Sequence, residues 1–225
     1  MSGADETVFL FDVDNTLLDN DRIEADIGAH VEGLFGRAAC DRFWAIFEEL
    51  RGEFGFANYL GTLQRFRLET LTDSRVLGLS SFLLDYPFPR RLYPRALEML
   101  AHIRQFGRTA ILSDGDAVFQ PHKIRRAGLW DAVEGRVLIY VHKERMLEDV
   151  EHHYPAQRYV MIDDKPGILA AMKGIWGTRL TTVFPQQGHY ARATQSMPTN
   201  PKPDMTLERV AELIERRYPD FSLSA

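Results

Sequence analysis

The sequence predicts an α/β protein, a Rossmann-like parallel sheet with an inserted all-helical domain. Three observations carry this expectation. Short β-rich runs recur along the chain with helical stretches between most of them. The alternation vanishes between Asp21 and Tyr86, where apolar residues fall at helical spacing instead. Two of the β-rich runs end in paired acids, and open α/β sheets bind ligands at the carboxyl ends of their strands.

In chain order, Thr7 to Val13 is the first strand. The helical region follows, with Phe43, Ile46, Phe47, Leu50 and Phe54, then Leu60, Leu63, Phe66 and Leu71, forming the buried stripes of about four helices. Pro87, Pro89 and Pro94 mark the return to the sheet, so residues 1–20 and 88–225 form the core and 21–87 the insert. Pro94 opens a helix over Arg95 to Phe106 and Gly107 closes it. Thr109 to Ser113 is a strand, and a helix from Phe119 to Ala127 stops at Gly128. Val137 to Val141 is a strand, Glu144 to His153 a helix ending before Pro155, and Tyr159 to Ile162 a strand. Pro166 starts the next helix, and Thr178 to Phe184 is the last strand of the set. Pro185 to Pro203 has the composition of a surface loop, and Leu207 to Arg216 that of a terminal helix.

Composition narrows the function. A net charge of −5 over 225 residues gives no basic excess for nucleic acid. The single Cys40 excludes an internal disulfide and a cysteine-rich metal site, and is expected as a buried, inert thiol. The N-terminal residues are acidic, and no apolar run approaches about 18 residues, so a soluble, cytoplasmic protein without a membrane partner is expected.

The chemistry gathers at strand ends. Asp12 and Asp14 follow the first strand and, by strand alternation, share one side. Two such charges ~4 Å apart repel by roughly 4 kcal/mol at an effective dielectric of about 20. Asp163 and Asp164 end another strand, and a spacing of ~4.8 Å between neighbouring strands would bring all four carboxylates together. Oxygen-only ligands suit Mg²⁺, which keeps water and substrate phosphate oxygens in its shell. Ser113 could hydrogen-bond a phosphate oxygen, with the amides of Asp114 and Gly115 as further donors. Lys143 follows a strand and could balance phosphate or carboxylate charge. Lys123, Arg125, Arg126, His142, His152 and His153 read as solvated surface residues.

The order Asp12-Val13-Asp14-Asn15-Thr16, Ser113, Lys143, Asp163-Asp164 resembles the four motifs of the haloacid dehalogenase-like hydrolase superfamily, and the insert resembles the cap of its phosphatases. That resemblance implies hydrolysis of a small phosphorylated metabolite. Asp12 would be the nucleophile that forms an aspartyl-phosphate, and Asp14 the acid that protonates the leaving oxygen and then activates water. Ser113 and Lys143 would hold the phosphoryl group. Asp12, the Asp14 backbone carbonyl and Asp163 would bind Mg²⁺, with Asp164 acting directly or through water. The commoner fourth motif has a Gly before the acid, where this chain has Ile162, and Lys143 is followed by Glu144 rather than proline. The family's dehalogenases lack the second acid of the first motif, and Asp14 is present. A sugar-phosphate mutase shares Asp12 and Asp14. A non-catalytic phosphate-binding protein would be marked by loss of one of them. Arg51, Arg65, Arg67 and the aromatics of the insert are the candidates for substrate contact.

Overall fold

The computed structural model describes residues 7–71, 73–194, 200–217 and 221. Six parallel strands form one sheet in the order β3-β2-β1-β4-β5-β6. They are β1 (Thr7–Phe11), β2 (Arg108–Asp114), β3 (Val137–Tyr140), β4 (Arg158–Ile162), β5 (Leu180–Pro185) and β6 (Met205–Leu207). Strand order reverses at β1, which lies between β2 and β4, and that is where a doubly wound sheet opens a ligand crevice. Phe11 pairs with Ile162 and with Ile111, so residues 12, 112–114 and 163–164 emerge side by side.

Side-chain alternation gives the sheet two faces. Val8, Leu10, Ala110, Leu112 and Met161 pack with Leu169, Met172 and Trp176 of α9 (Pro166–Trp176). Phe9, Phe11, Ile111, Val160 and Ile162 pack on the other face, with α5 (Ala96–Ile103) and the helical insert. Every residue of β1 is buried, as in a parallel sheet covered on both sides.

The insert between β1 and β2 is four helices, α1 (Asn20–Phe35), α2 (Arg37–Phe54), α3 (Tyr59–Glu69) and α4 (Arg75–Asp85). Asp19 caps α1 by accepting from the Arg22 amide, and Gly55 ends α2 in the left-handed conformation. Phe43, Phe47 and Tyr59 belong to the same apolar cluster as Phe9 and Phe11, so insert and sheet share a continuous core. The Cys40 thiol is buried and donates to the Gly28 carbonyl at 3.4 Å.

Several expected elements differ. Strand β1 ends at Phe11, two residues early. The helix expected over Glu144–His153 is a 3₁₀ turn over Lys143–Arg145 followed by α8 (Leu147–His153), and residues 177–179 form a 3₁₀ turn before β5. Beyond α6 (Phe119–Arg126) the chain adds the one-turn α7 (Leu129–Ala132). The expected loop from Pro185 contains α10 (Gly188–Thr194), and its residues 195–199 lie outside the described set. The expected terminal helix is replaced by β6 and a 3₁₀ segment, Val210–Glu215. Pairing with β5 decides this, because an edge strand of three residues leaves no readable period. Among the described residues no helix is long and apolar enough to cross a membrane.

Candidate active site

The turn after β1 builds the floor of the site. The Asp12 amide donates to the Ile162 carbonyl at 2.9 Å, which continues the β1–β4 pairing by one residue. The chain then turns: the Val13 carbonyl accepts from the amides of Leu17 and Leu18, and Asn15 takes a left-handed φ of 59°. Asn15 Oδ1 accepts from the amides of Asn20 and Asp21 and so joins this turn to the start of α1. Gly188 packs against Asn15 so closely that a Cβ there would lie 2.6 Å from the Asn15 side chain, and its φ of +71° also calls for glycine. Thr16, fully buried, accepts from the Asp164 amide at 3.1 Å and links the first acidic motif to the last.

Three carboxylates meet. Asp12, Asp163 and Asp164 are buried, and each offers an oxygen within 4.8 Å of the others. Asp163 Oδ1 accepts the Lys165 amide at 2.8 Å. Neither oxygen of Asp164 has a hydrogen-bond donor among the described residues. Orphaned buried acceptors are costly, and an all-oxygen set with spare lone pairs is what a hard divalent cation takes up. The residues present therefore fit Mg²⁺. Asp14 is not in this cluster. Its carboxylate receives Lys123 Nζ at 2.5 Å on Oδ1 and Gln120 Nε2 at 3.2 Å on Oδ2. Strand alternation stops at Phe11, so the turn and not the strand sets where the Asp14 carboxylate points.

Lys143 sits among the acids. Its Nζ, 1% exposed, lies 2.5 Å from Asp12 Oδ1, 2.6 Å from Asp163 Oδ2 and 3.3 Å from the Leu112 carbonyl. Burial works against its charge, but Asp12, Asp163 and Asp114 outweigh burial and raise the ammonium well above its ordinary range. Burial raises the Asp164 carboxyl far above the usual carboxylate range, and the charges of Asp163 and Asp12 push the same way. Burial also raises Asp163, against the opposing pull of Lys143.

Ser113, 1% exposed, stands at the end of β2, where its Oγ accepts from Gln120 Nε2 at 3.0 Å. Asp114 accepts the Lys143 amide at 2.8 Å and so fixes the start of the 3₁₀ turn that carries Lys143. The Gly115 amide donates to the Tyr140 carbonyl at 2.9 Å, so it is already engaged, and the role expected for it as an anion donor has no support in this geometry. A Cβ on Gly115 would lie 2.8 Å from the Gln120 side chain, and that close approach is what glycine permits.

Sequence reasoning missed several residues here. Gln120 and Lys123 are buried along one face of α6 together with Phe119 and Ile124. A lysine inside a stripe of helical spacing was the available signal, and it corrects the surface reading of Lys123. Lys165, next to the acidic pair, has its ammonium 5.0 Å from the Tyr190 ring. From the insert, the Tyr59 hydroxyl and the Asn20 amide each donate to Glu24 Oε1 at 3.0 Å, and burial raises the Glu24 carboxyl. Arg51 on α2 donates to the Tyr190 hydroxyl across to α10. Arg65 instead pairs with Glu53 on the surface of the insert, and Trp44 packs on Phe43 and Phe47.

Comparison with known proteins adds independent findings. The family model for haloacid dehalogenase-like hydrolases matches residues 7–175. No curated protein matches the chain. A haloacid dehalogenase-like hydrolase from Burkholderia xenovorans LB400 is 58% identical over 96% of this chain and 98% of its own, with a TM-score of 0.89. The L-2-haloacid dehalogenase of Xanthobacter autotrophicus is 18% identical over 92% of this chain and 96% of its own, with a TM-score of 0.58. The magnesium-bound HAD-hydrolase YfnB of Bacillus subtilis is 16% identical over 93% and 97%, with a TM-score of 0.60. At those two identities the likeness is one of fold alone.

Proposed function

The chain belongs to the haloacid dehalogenase-like hydrolases, and within that family we propose that it is a Mg²⁺-dependent phosphatase acting on a small phosphomonoester. Residues 1–20 and 88–225 form the catalytic core in this reading, and 21–87 the cap. The observation that carries it is the buried Asp12, Asp163 and Asp164 cluster with Asp14 held apart beside it. A halide leaves carbon as a stable anion and needs no proton, whereas an alkoxide leaving phosphorus needs an acid at hand. Asp14 supplies that acid. A phosphoryl group also brings more negative charge than a haloacid carboxylate, which suits a site built for a cation as well as Lys143.

Asp12 carries an oxygen at the end of β1 and attacks phosphorus. The bond to the leaving oxygen breaks, and that oxygen takes the proton of the Asp14 carboxyl. Water then gives a proton to the Asp14 carboxylate as its oxygen attacks phosphorus, and the bond to Asp12 breaks. The carboxylate nucleophile thus divides one difficult displacement into two. Ser113 and Lys143 orient the phosphoryl oxygens throughout, and their fixed donors supply most of the stabilisation. Asp12, Asp163, Asp164 and the Asp14 carbonyl would hold Mg²⁺, which supplies charge neutralisation on the phosphoryl oxygens when bound.

The test is phosphate release from p-nitrophenyl phosphate and a panel of small phosphomonoesters, beside halide release from 2-haloacids. Expected are turnover with Mg²⁺, loss in chelator and loss in Asp12→Ala. Halide release without phosphate release would reject the reading.

A further inference from the structure

Lys123 belongs to none of the motifs, yet its side chain is 1% exposed and its Nζ lies 2.5 Å from Asp14 Oδ1. Burying an ammonium is costly unless it is paired, so a lysine in this place is tied to the carboxylate it meets. Gln120, one turn earlier on α6, uses the two protons of one amide group on two site residues: 3.2 Å to Asp14 Oδ2 and 3.0 Å to Ser113 Oγ. Each oxygen of Asp14 thus has its own holder, and one of those holders also grips the proposed phosphate-binding hydroxyl. Phe119 packs against Tyr59 of the cap and Phe88, with ring centroids 5.3 and 6.0 Å away, which seats the first turn of α6.

We propose that Lys123 and Gln120 are positioning residues that hold the Asp14 carboxyl on the leaving-group side of the phosphoryl site, a reading that rests on the phosphatase assignment. Asp14 must serve two steps from one place, first as acid toward the leaving oxygen and then as base toward water. Its backbone belongs to a turn and not to the sheet, so its side chain needs external support, and α6 provides it.

The consequence is a dependence on the leaving group. The value of kcat/KM reports the steps through the first phosphoryl transfer, where p-nitrophenolate leaves well unprotonated and an alkoxide does not. Misplacement of about 1 Å can cost about 10²-fold, and general acid catalysis is worth about 10² to 10⁴. Lys123→Met, which keeps the apolar stem, should therefore lower kcat/KM for an alkyl phosphate by roughly 10²-fold and for p-nitrophenyl phosphate by less than about 3-fold. The Mg²⁺-induced rise in melting temperature should be unchanged. Gln120→Leu also frees the Ser113 hydroxyl, so it should lower kcat/KM for both esters with the larger loss on the alkyl phosphate, and that inequality decides the matter if Lys123→Met does not fold. Equal losses on the two esters, or no loss on either, would assign these residues to packing alone and overturn the proposal. Failure of the wild type to hydrolyse either ester would overturn the phosphatase reading itself, and the proposal with it.

Discussion

Asp12 and Asp14 are two residues apart and meet different partners. Asp12 lies on Lys143 beside two further carboxylates, whereas Asp14 lies on Lys123 and Gln120 outside that cluster. This separation is what a nucleophile and a proton carrier require, since the first must stay ionised and the second must change state. Asp14→Asn keeps the shape and leaves Lys123 an acceptor but removes its counter-charge, so it should fold with a lowered melting temperature and slow turnover of an alkyl phosphate by about 10² to 10⁴. Near-normal kcat would show that Asp14 is not the proton carrier. Both acids were legible in the sequence because an apolar strand runs straight into them. Their divergence was not, because it depends on a turn at Asn15 and on a lysine 109 residues from Asp14 in sequence. Lys143 was legible only through its place after a strand, and its contact with Asp12 spans 131 residues.

At the scale of elements, about four insert helices announce themselves through apolar spacing, and the described residues of the insert form four. What that spacing cannot reveal is which polar residues of an amphipathic helix turn toward the site. Arg65 faces Glu53 and Glu49 on the outside, while Glu24 is held by Tyr59 and Asn20, and Arg51 reaches Tyr190. If the insert selects the substrate, Glu24→Gln and Arg51→Met should reorder the ranking of phosphomonoesters in a metabolite panel, and Arg65→Met should not. An unchanged ranking in the first two, with folding intact, would place specificity elsewhere. The C-terminal region was misread for a related reason. A three-residue edge strand and a 3₁₀ turn have no period to detect, and both owe their form to β5 and α5 beside them.

For the molecule as a whole, a buried cluster of three carboxylates makes stability conditional on pH and on any cation that binds there. Burial raises the folded-state carboxyls of Asp163 and Asp164 above the unfolded value of about 4, so between these values the folded chain binds more protons than the unfolded chain. Stability then falls as pH rises, the reverse of an ordinary salt-bridged aspartate. In chelator the melting temperature should drop between about pH 4 and about pH 9, and Asp164→Asn should flatten the part of that drop above about pH 6. Mg²⁺ should raise the wild-type melting temperature, since a ligand bound only by the folded state stabilises it, and should do so much less in Asp163→Asn. An equal shift in both would remove Asp163 from the ligand set. The central claim, that Asp12 carries the phosphoryl group, is tested most directly by acid-quenching the enzyme during turnover of a radiolabelled phosphomonoester. The account predicts protein-bound label that hydroxylamine releases, as it does from an acyl phosphate, and no label in Asp12→Asn. Wild-type turnover that never leaves label on the protein, or label that survives in Asp12→Asn, would contradict it.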